Sequence, residues 1–180
     1  MRLLLDACVL YPTVLREILI GVAREGFYTP LWSERILEEW ARAAARLSPV
    51  DEVFARGEIA ALNAEFPQAM VARREGLEAR LHLPDENDIH VLAAAITGNA
   101  DAIVTMNAVD FPRGVLASEG LERRDPDGLL WQFWSENPAP IAAVVERVRA
   151  RAEELSGQPQ PLRPLLKRAR LPRLGKALAG

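Results

Sequence analysis

The sequence predicts an α/β fold: a single three-layer domain in which a mostly parallel sheet of about four to five strands is flanked by helices. Three observations predict it. An uninterrupted apolar run, Leu3-Leu4-Leu5, leads into a single carboxylate, Asp6, as suits a strand buried on both faces of a parallel sheet. A second such run, Ala102-Ile103-Val104-Thr105, ends in the polar turn Met106-Asn107-Ala108-Val109-Asp110. Around these runs, apolar residues recur at helical spacing, and strands alternating with helices imply right-handed crossovers.

The elements follow in order. After the first strand, Pro12 and Thr13 start a helix whose apolar positions are Val14, Leu15, Ile18, Leu19 and Val22, and Gly26 stops it. Phe27 to Leu31 reads as a short strand, with Pro30 placing it at an edge or a strand end. Ser33 is a candidate N-cap for a helix from Glu34 to about Arg46 with Ile36, Leu37, Trp40 and Ala44 inward. Residues 51–80 carry two further helical patterns divided at Pro67. Pro84 and Asp85 open an apolar helix, Ile89 to Ile96, closed by Gly98. The strand at 102–105 follows, then a fourth near Leu121-Glu122-Arg123-Arg124. Asp125-Pro126-Asp127 caps a helix containing Leu129, Leu130, Phe133 and Trp134, and a long helix runs from about Pro140 to Leu155. The expected organisation is a domain over 1–135, a C-terminal helix over 136–156 packed on or extending from it, and a basic, proline-containing tail over 157–180.

Composition narrows the class. At 180 residues, 49% hydrophobic and 26% charged, the chain can bury a real core. No stretch approaches the roughly 18 apolar residues of a membrane span, and the amino terminus lacks a secretory pattern because Asp6 and Pro12 break its apolar run. One cysteine, Cys8, excludes an intramolecular disulfide and a multi-cysteine zinc site, so a reducing cytoplasm is expected. Charge is unevenly placed. The net charge is −3, all 25 acidic residues lie at or before Glu154, and Arg163, Lys167, Arg168, Arg170, Arg173 and Lys176 follow with no acid among them. Such a tail either meets an acidic partner or is a solvated end.

In an open α/β sheet, ligands bind beyond the carboxyl ends of the strands. Asp6 and the Asn107/Asp110 turn both fall on that edge. Further acids, Glu38 or Glu39 and Asp88, are candidates to join them. Oxygen donors with no accompanying thiolates favour a hard cation such as Mg²⁺ or Mn²⁺ over zinc. Each acid also has a purely structural reading: Asp6 and Asp110 as turn residues, Asp88 as a first-turn helix acid, and Glu38 and Glu39 as solvated helix residues.

Four segments together resemble the PIN domain, a metal-dependent ribonuclease fold, and in particular a bacterial branch related to the toxins of toxin–antitoxin pairs. They are Leu4 to Pro12, Trp32 to Trp40, Leu83 to Ala95, and Ala100 to Asn107 with Asp110-Phe111-Pro112, in the family's order and within roughly residues 1–135. The resemblance implies Asp6, Glu39 and Asp88 as catalytic, metal-binding acids, with Asn107 or Asp110 as the fourth polar position. It implies a Mg²⁺ (or Mn²⁺) cofactor, hydrolysis of RNA phosphodiester bonds, an antitoxin protein as a partner, and a homodimer. Arg35, Arg42, Arg113 and the basic tail are the candidate RNA contacts. This chain departs from the family's pattern in carrying Asn107 where many members have Asp, and Ala7 and Cys8 where Thr and then Asn or Ser are usual. Two rivals remain. A haloacid-dehalogenase-type enzyme also ends its first strand in Asp, but its usual partner positions are here Cys8 and Leu10. The other is a PIN-like protein- or RNA-binding module with weak or no catalysis. Glycine motifs for phosphate loops or dinucleotides are missing.

Overall fold

The elements of the computed structural model, which describes all residues from Met1 to Gly180, run β1 (Arg2–Leu5), α1 (Ala7–Leu10), α2 (Thr13–Arg24), β2 (Thr29–Ser33), α3 (Glu34–Ala45), α4 (Pro49–Glu65), β3 (Met70–Val71), α5 (Ile89–Thr97), β4 (Ala102–Val104), α6 (Arg113–Ser118), β5 (Glu122–Arg124), α7 (Pro126–Glu136), α8 (Pro138–Ser156), α9 (Leu162–Arg168) and α10 (Pro172–Leu178). Short 3-10 turns lie at Glu78–Arg80 and Glu86–Asp88. No helix is long and apolar enough to cross a membrane. The chain divides into two units, residues 1–11 with 28–124, and residues 12–27 with 125–180.

The first unit holds a five-stranded sheet in the order β3-β2-β1-β4-β5, parallel throughout. This is the helix-flanked α/β sheet that the alternating pattern predicts. Leu3, Leu4 and Leu5 have no exposed surface, and neither have Ile103 and Val104. The uninterrupted apolar runs therefore identify the two central strands, covered on both faces. The chain first winds outward through β2 and β3, then returns to the other side of β1 with β4. That reversal puts the topological switch between β1 and β4, paired at Leu5↔Val104, and opens a crevice at their carboxyl ends. Helix α5 packs on β1, β2 and β4, and α3 on β2 and α4. Ser33 caps α3 as expected, its hydroxyl accepting from the Ile36 N–H at 3.2 Å. Trp32, fully buried, donates its indole N–H to Asn63 Oδ1 at 2.8 Å and ties β2 to α4.

Residues 51–80 depart from the expected pair of helices. Ser48 and Pro49 start a single helix, α4, whose last residue is Glu65, and after Pro67 the chain enters the edge strand β3 instead of a second helix. The Ala69 carbonyl accepts from Trp32 N at 3.0 Å, so tertiary pairing with β2 overrides the helical composition of the segment.

The second unit is helical, made of α2 and α7 to α10. Asp125 caps α7 through the Gly128 N–H at 2.8 Å, as the Asp-Pro-Asp sequence predicts. Helix α2 crosses α8 closely: a β-carbon built on Gly21 would fall 2.6 Å from Val144 Cγ1. Gly157, at φ 64, ends α8 in the left-handed conformation that favours glycine. Residues 157–180 then form α9 and α10, with Leu165, Leu166, Leu171 and Leu174 buried. Asp127 accepts the backbone N–H groups of Arg173 and Leu174, each at 2.9 Å, and so caps the start of α10 from outside that helix.

Candidate metal centre

Asp6 follows the last residue of β1 and caps α1, its Oδ1 accepting the Ala7 N–H at 2.7 Å. Its Oδ2 accepts from the Thr105 hydroxyl at 2.8 Å and from Cys8 Sγ at 3.2 Å. Thr105 follows β4, so parallel pairing alone brings these distant residues side by side. Asp6 is only 7% exposed. Burial raises its pKa above the ordinary carboxylate value; the Thr105, Cys8 and Ala7 donors oppose that shift and the negative charge of Glu39 adds to it. Burial and Asp6 together push the Cys8 thiol up to about 12, which makes Cys8 a donor to Asp6 and not a nucleophile.

The turn after β4 carries the next groups. The Asn107 N–H donates to Thr105 Oγ1 at 3.0 Å, and the Asn107 amide donates to Asp110 Oδ2 at 2.6 Å and, at 3.5 Å, to Asp88 Oδ2. Asp88 lies at the end of the 3-10 turn that leads into α5. Asp85, Asp88 and Asp110 each offer an oxygen within 4.8 Å of the other two, and all three are half-buried. Burial, and then the charges of Asp6, Asp85, Asp110 and Glu39, raise Asp88 to about 6. Asp88 thus feels four other carboxylates, Asp85 and Asp110 within the trio and Asp6 and Glu39 outside it.

Glu39 projects from α3, with Oε1 2.7 Å from His90 Nε2 and 3.7 Å from the Arg35 guanidinium. The His90 ring is buried, and its Nε2–Glu39 approach is short but poorly directed, so neither ring nitrogen completes a hydrogen bond. Arg35, Arg42, Glu39 and His90 help line a cleft of about 850 Å³ between α3 and the segment after β3. Two of the three arginines expected to meet RNA are already engaged by acids, Arg35 by Glu39 and Arg42 by Glu38. Arg113, the third, lies at the start of α6, exposed. Glu38 belongs to a surface network: hydrogen bonds from Arg56 and Arg42 hold it down to about 2.

Of the acids singled out from the sequence, Asp88 and Asp110 share the trio, Asn107 bridges them, and Asp6 and Glu39 stand close enough to perturb Asp88. Asp85, read from the sequence as a helix opener, both caps, accepting from the Asn87 N–H at 2.9 Å, and completes the trio. The supporting roles of Thr105, Cys8 and His90 were not read from the sequence, where Cys8 stood only as a departure from the family's pattern; a hydroxyl immediately after the second buried strand was the one available signal for Thr105. The donor set fits a divalent cation, because it offers carboxylate oxygens and no sulfur, and because the crowding that raises Asp88 is relieved by positive charge.

A family model described as PIN domain matches residues 2–108. The chain belongs to the PIN domain family. The match spans every strand but β5 and all five clustered carboxylates except Asp110. No curated protein and no solved structure matches the chain. PIN domains are in general metal-dependent nucleases, and the acidic cluster of this PIN domain lies at the sheet's switch point.

Proposed function

We propose that this PIN domain is a Mg²⁺- or Mn²⁺-dependent endoribonuclease, of the bacterial branch whose members act as toxins in toxin–antitoxin pairs. One observation carries the reading: carboxylate oxygens of Asp85, Asp88 and Asp110 lie within 4.8 Å of one another, and the charges of Asp6 and Glu39 add to the crowding that raises Asp88 to about 6. Nothing in a fold requires such repulsion, and a cation offsets it.

Asp6 and Asp88 would hold the cation directly, Asp110 and Asp85 would complete the oxygen set, and Asn107 would orient Asp110. A bound divalent cation supplies Lewis-acid stabilisation of charge on the phosphate and acidifies the attacking water. Thr105 and Cys8 fix the Asp6 carboxylate by donating to Oδ2, and Oδ1, which accepts the Ala7 N–H, keeps a further lone pair for a cation. Glu39, set against His90, would accept a proton from the water that displaces the 3′-oxygen and leaves a 5′-phosphate. Single-stranded or looped RNA suits an edge site that must reach an exposed backbone.

Incubation of labelled RNA with the protein and Mn²⁺ or Mg²⁺ tests the reading. Cleavage should vanish with chelator and fall at least about a hundredfold in Asp6→Asn and in Asp88→Asn. Activity that survives both substitutions ends the nuclease assignment. The alternative, a PIN-like binding module with weak or no catalysis, draws on the Asn107 amide bonded to Asp110 where many members carry a carboxylate; RNA binding without cleavage is its signature.

A further inference from the structure

The six cations of residues 157–180 are all exposed, and none of them is in an ion pair. Elsewhere, arginines are neutralised repeatedly: Arg42 and Arg56 by Glu38, Arg73 by Glu78, Arg80 by Glu119, Arg147 by Glu25, Arg149 by Glu146 and Glu153, and Arg151 by Glu154. With a net charge of −3 for the whole chain and six positive charges in this segment, the remainder carries −3 − 6 = −9. An acidic protein therefore carries six exposed, unpaired cations within one C-terminal segment of 24 residues that holds no acid.

That element is ordered and anchored. Its four buried leucines face inward, Asp127 fixes the start of α10, and Gly175 lets α10 approach Leu166, whose Cβ would lie 3.2 Å from an added methyl. On the outer side Arg163 and Lys167 are one turn apart on α9, and Arg173 and Lys176 on α10 are spaced likewise. Arg173 lies 3.6 Å over the Trp131 ring, which holds its guanidinium in place without neutralising it. Arg170 joins the helices at φ 60, a left-handed position that glycine would fill at less cost. No large apolar side chain of the segment is exposed.

We infer that α9 and α10 form a platform for the phosphate backbone of RNA. A protein partner would need an apolar or aromatic centre to its interface, which this surface lacks. A phosphate chain needs positive charge alone, and release of its counterions drives binding. The choice of RNA among polyanions rests on the ribonuclease reading of the PIN domain; the platform itself rests on the charge placement.

The test is fluorescence anisotropy of a labelled single-stranded RNA of mixed sequence, in chelator and across a range of NaCl, so that binding is read apart from cleavage. Arg163→Gln, Lys167→Gln, Arg168→Gln and Lys176→Gln are combined in one variant, with folding checked by circular dichroism. Affinity should fall roughly tenfold or more, and the log–log salt slope should become shallower by about 3, at about 0.7 per cation lost. A charge-preserving set, with Arg163→Lys and Arg168→Lys, should keep the wild-type slope, and Arg151→Gln, which removes an already paired charge, should leave it unchanged. A Gln variant that folds and binds RNA with unaltered slope overturns the platform. So does binding of poly-glutamate, lost in the same variant, by a protein that does not bind RNA. If the slope changes as expected but wild-type protein with Mn²⁺ never cleaves, the platform stands and the nuclease reading falls.

Discussion

Thr105 donates its hydroxyl proton to Asp6 Oδ2 across 2.8 Å, joining the ends of the two central strands where the acidic groups gather. The bond opposes the rise in the Asp6 pKa that burial imposes. Thr105→Val keeps the shape and removes the donor, leaving a buried carboxylate less satisfied, at a cost of about 1–3 kcal/mol near neutral pH. The sign with pH follows from the direction of the shift. Because the folded pKa of Asp6 is raised, the folded state holds a proton that the unfolded chain releases, and stability falls as pH rises from the ordinary carboxylate value of 3.8 through the folded pKa. The variant should steepen that fall. Urea unfolding of Thr105→Val, Thr105→Ser and wild type at mildly acidic and mildly alkaline pH measures it, with serine expected to restore most of the loss. Equal loss for valine and serine would show that the methyl group matters and the hydroxyl does not.

Asp88 makes the second prediction. Its pKa rises from 3.8 to about 6, so between these values the folded protein binds a proton that the unfolded chain does not. Stability without metal should therefore decrease as pH climbs through this window and level off above it. Asp88→Asn cannot ionise, so in chelator it should melt above wild type at pH values beyond about 6, and the two should converge below about pH 4. Adding Mn²⁺ should reverse the order by raising the melting temperature of wild type more than that of the variant, and the Mn²⁺ effect should fade as protons compete below about pH 6. Thermal melts across pH, with chelator and with Mn²⁺, decide it; a wild type indifferent to Mn²⁺ at every pH would remove the cation from the site.

How much of this was legible in the sequence depends on how local each signal is. Leu3-Leu4-Leu5 and Ile103-Val104 could be read directly, because a strand buried on both faces leaves no polar interruption. The Ser33 and Asp125 caps were equally clear, since a side-chain oxygen before a helical run has one obvious use. Strand β3 was not legible: two residues carry no period, and Met70-Val71 becomes a strand only because β2 offers its edge. Helices α9 and α10 were obscured by Pro161, Pro164 and Pro172, although Pro172 sits in the first turn, where proline is tolerated. At the site, the ends of the two central strands announced Asp6 and the Asn107/Asp110 turn. The support that Thr105 and Cys8 give Asp6 depends on the β1–β4 register, between residues 99 apart for Thr105, and no local pattern encodes that. Asp85 was hidden by its own capping role, which it fills while also facing Asp88 and Asp110.

Asn107 gives the sharpest test of the cluster's purpose. Its amide donates to Asp110 at 2.6 Å and reaches Asp88 at 3.5 Å, so one neutral group separates two carboxylates. Asn107→Asp exchanges that donor for a further negative charge in nearly the same volume. In chelator the new repulsion should cost about 1–4 kcal/mol, the upper figure being the Coulomb energy of two unit charges about 4 Å apart at an effective dielectric of about 20. A divalent cation should reverse the balance, because each added carboxylate strengthens a hard-cation site. The variant should therefore melt below wild type in chelator yet gain more from Mn²⁺, and it should bind Mn²⁺ more tightly by isothermal titration calorimetry. If Asn107 were instead a structural amide remote from any cation, the substitution would lower stability in chelator and in Mn²⁺ alike. The difference between the two melting shifts, and not either shift alone, thus reports whether the turn after β4 faces the metal.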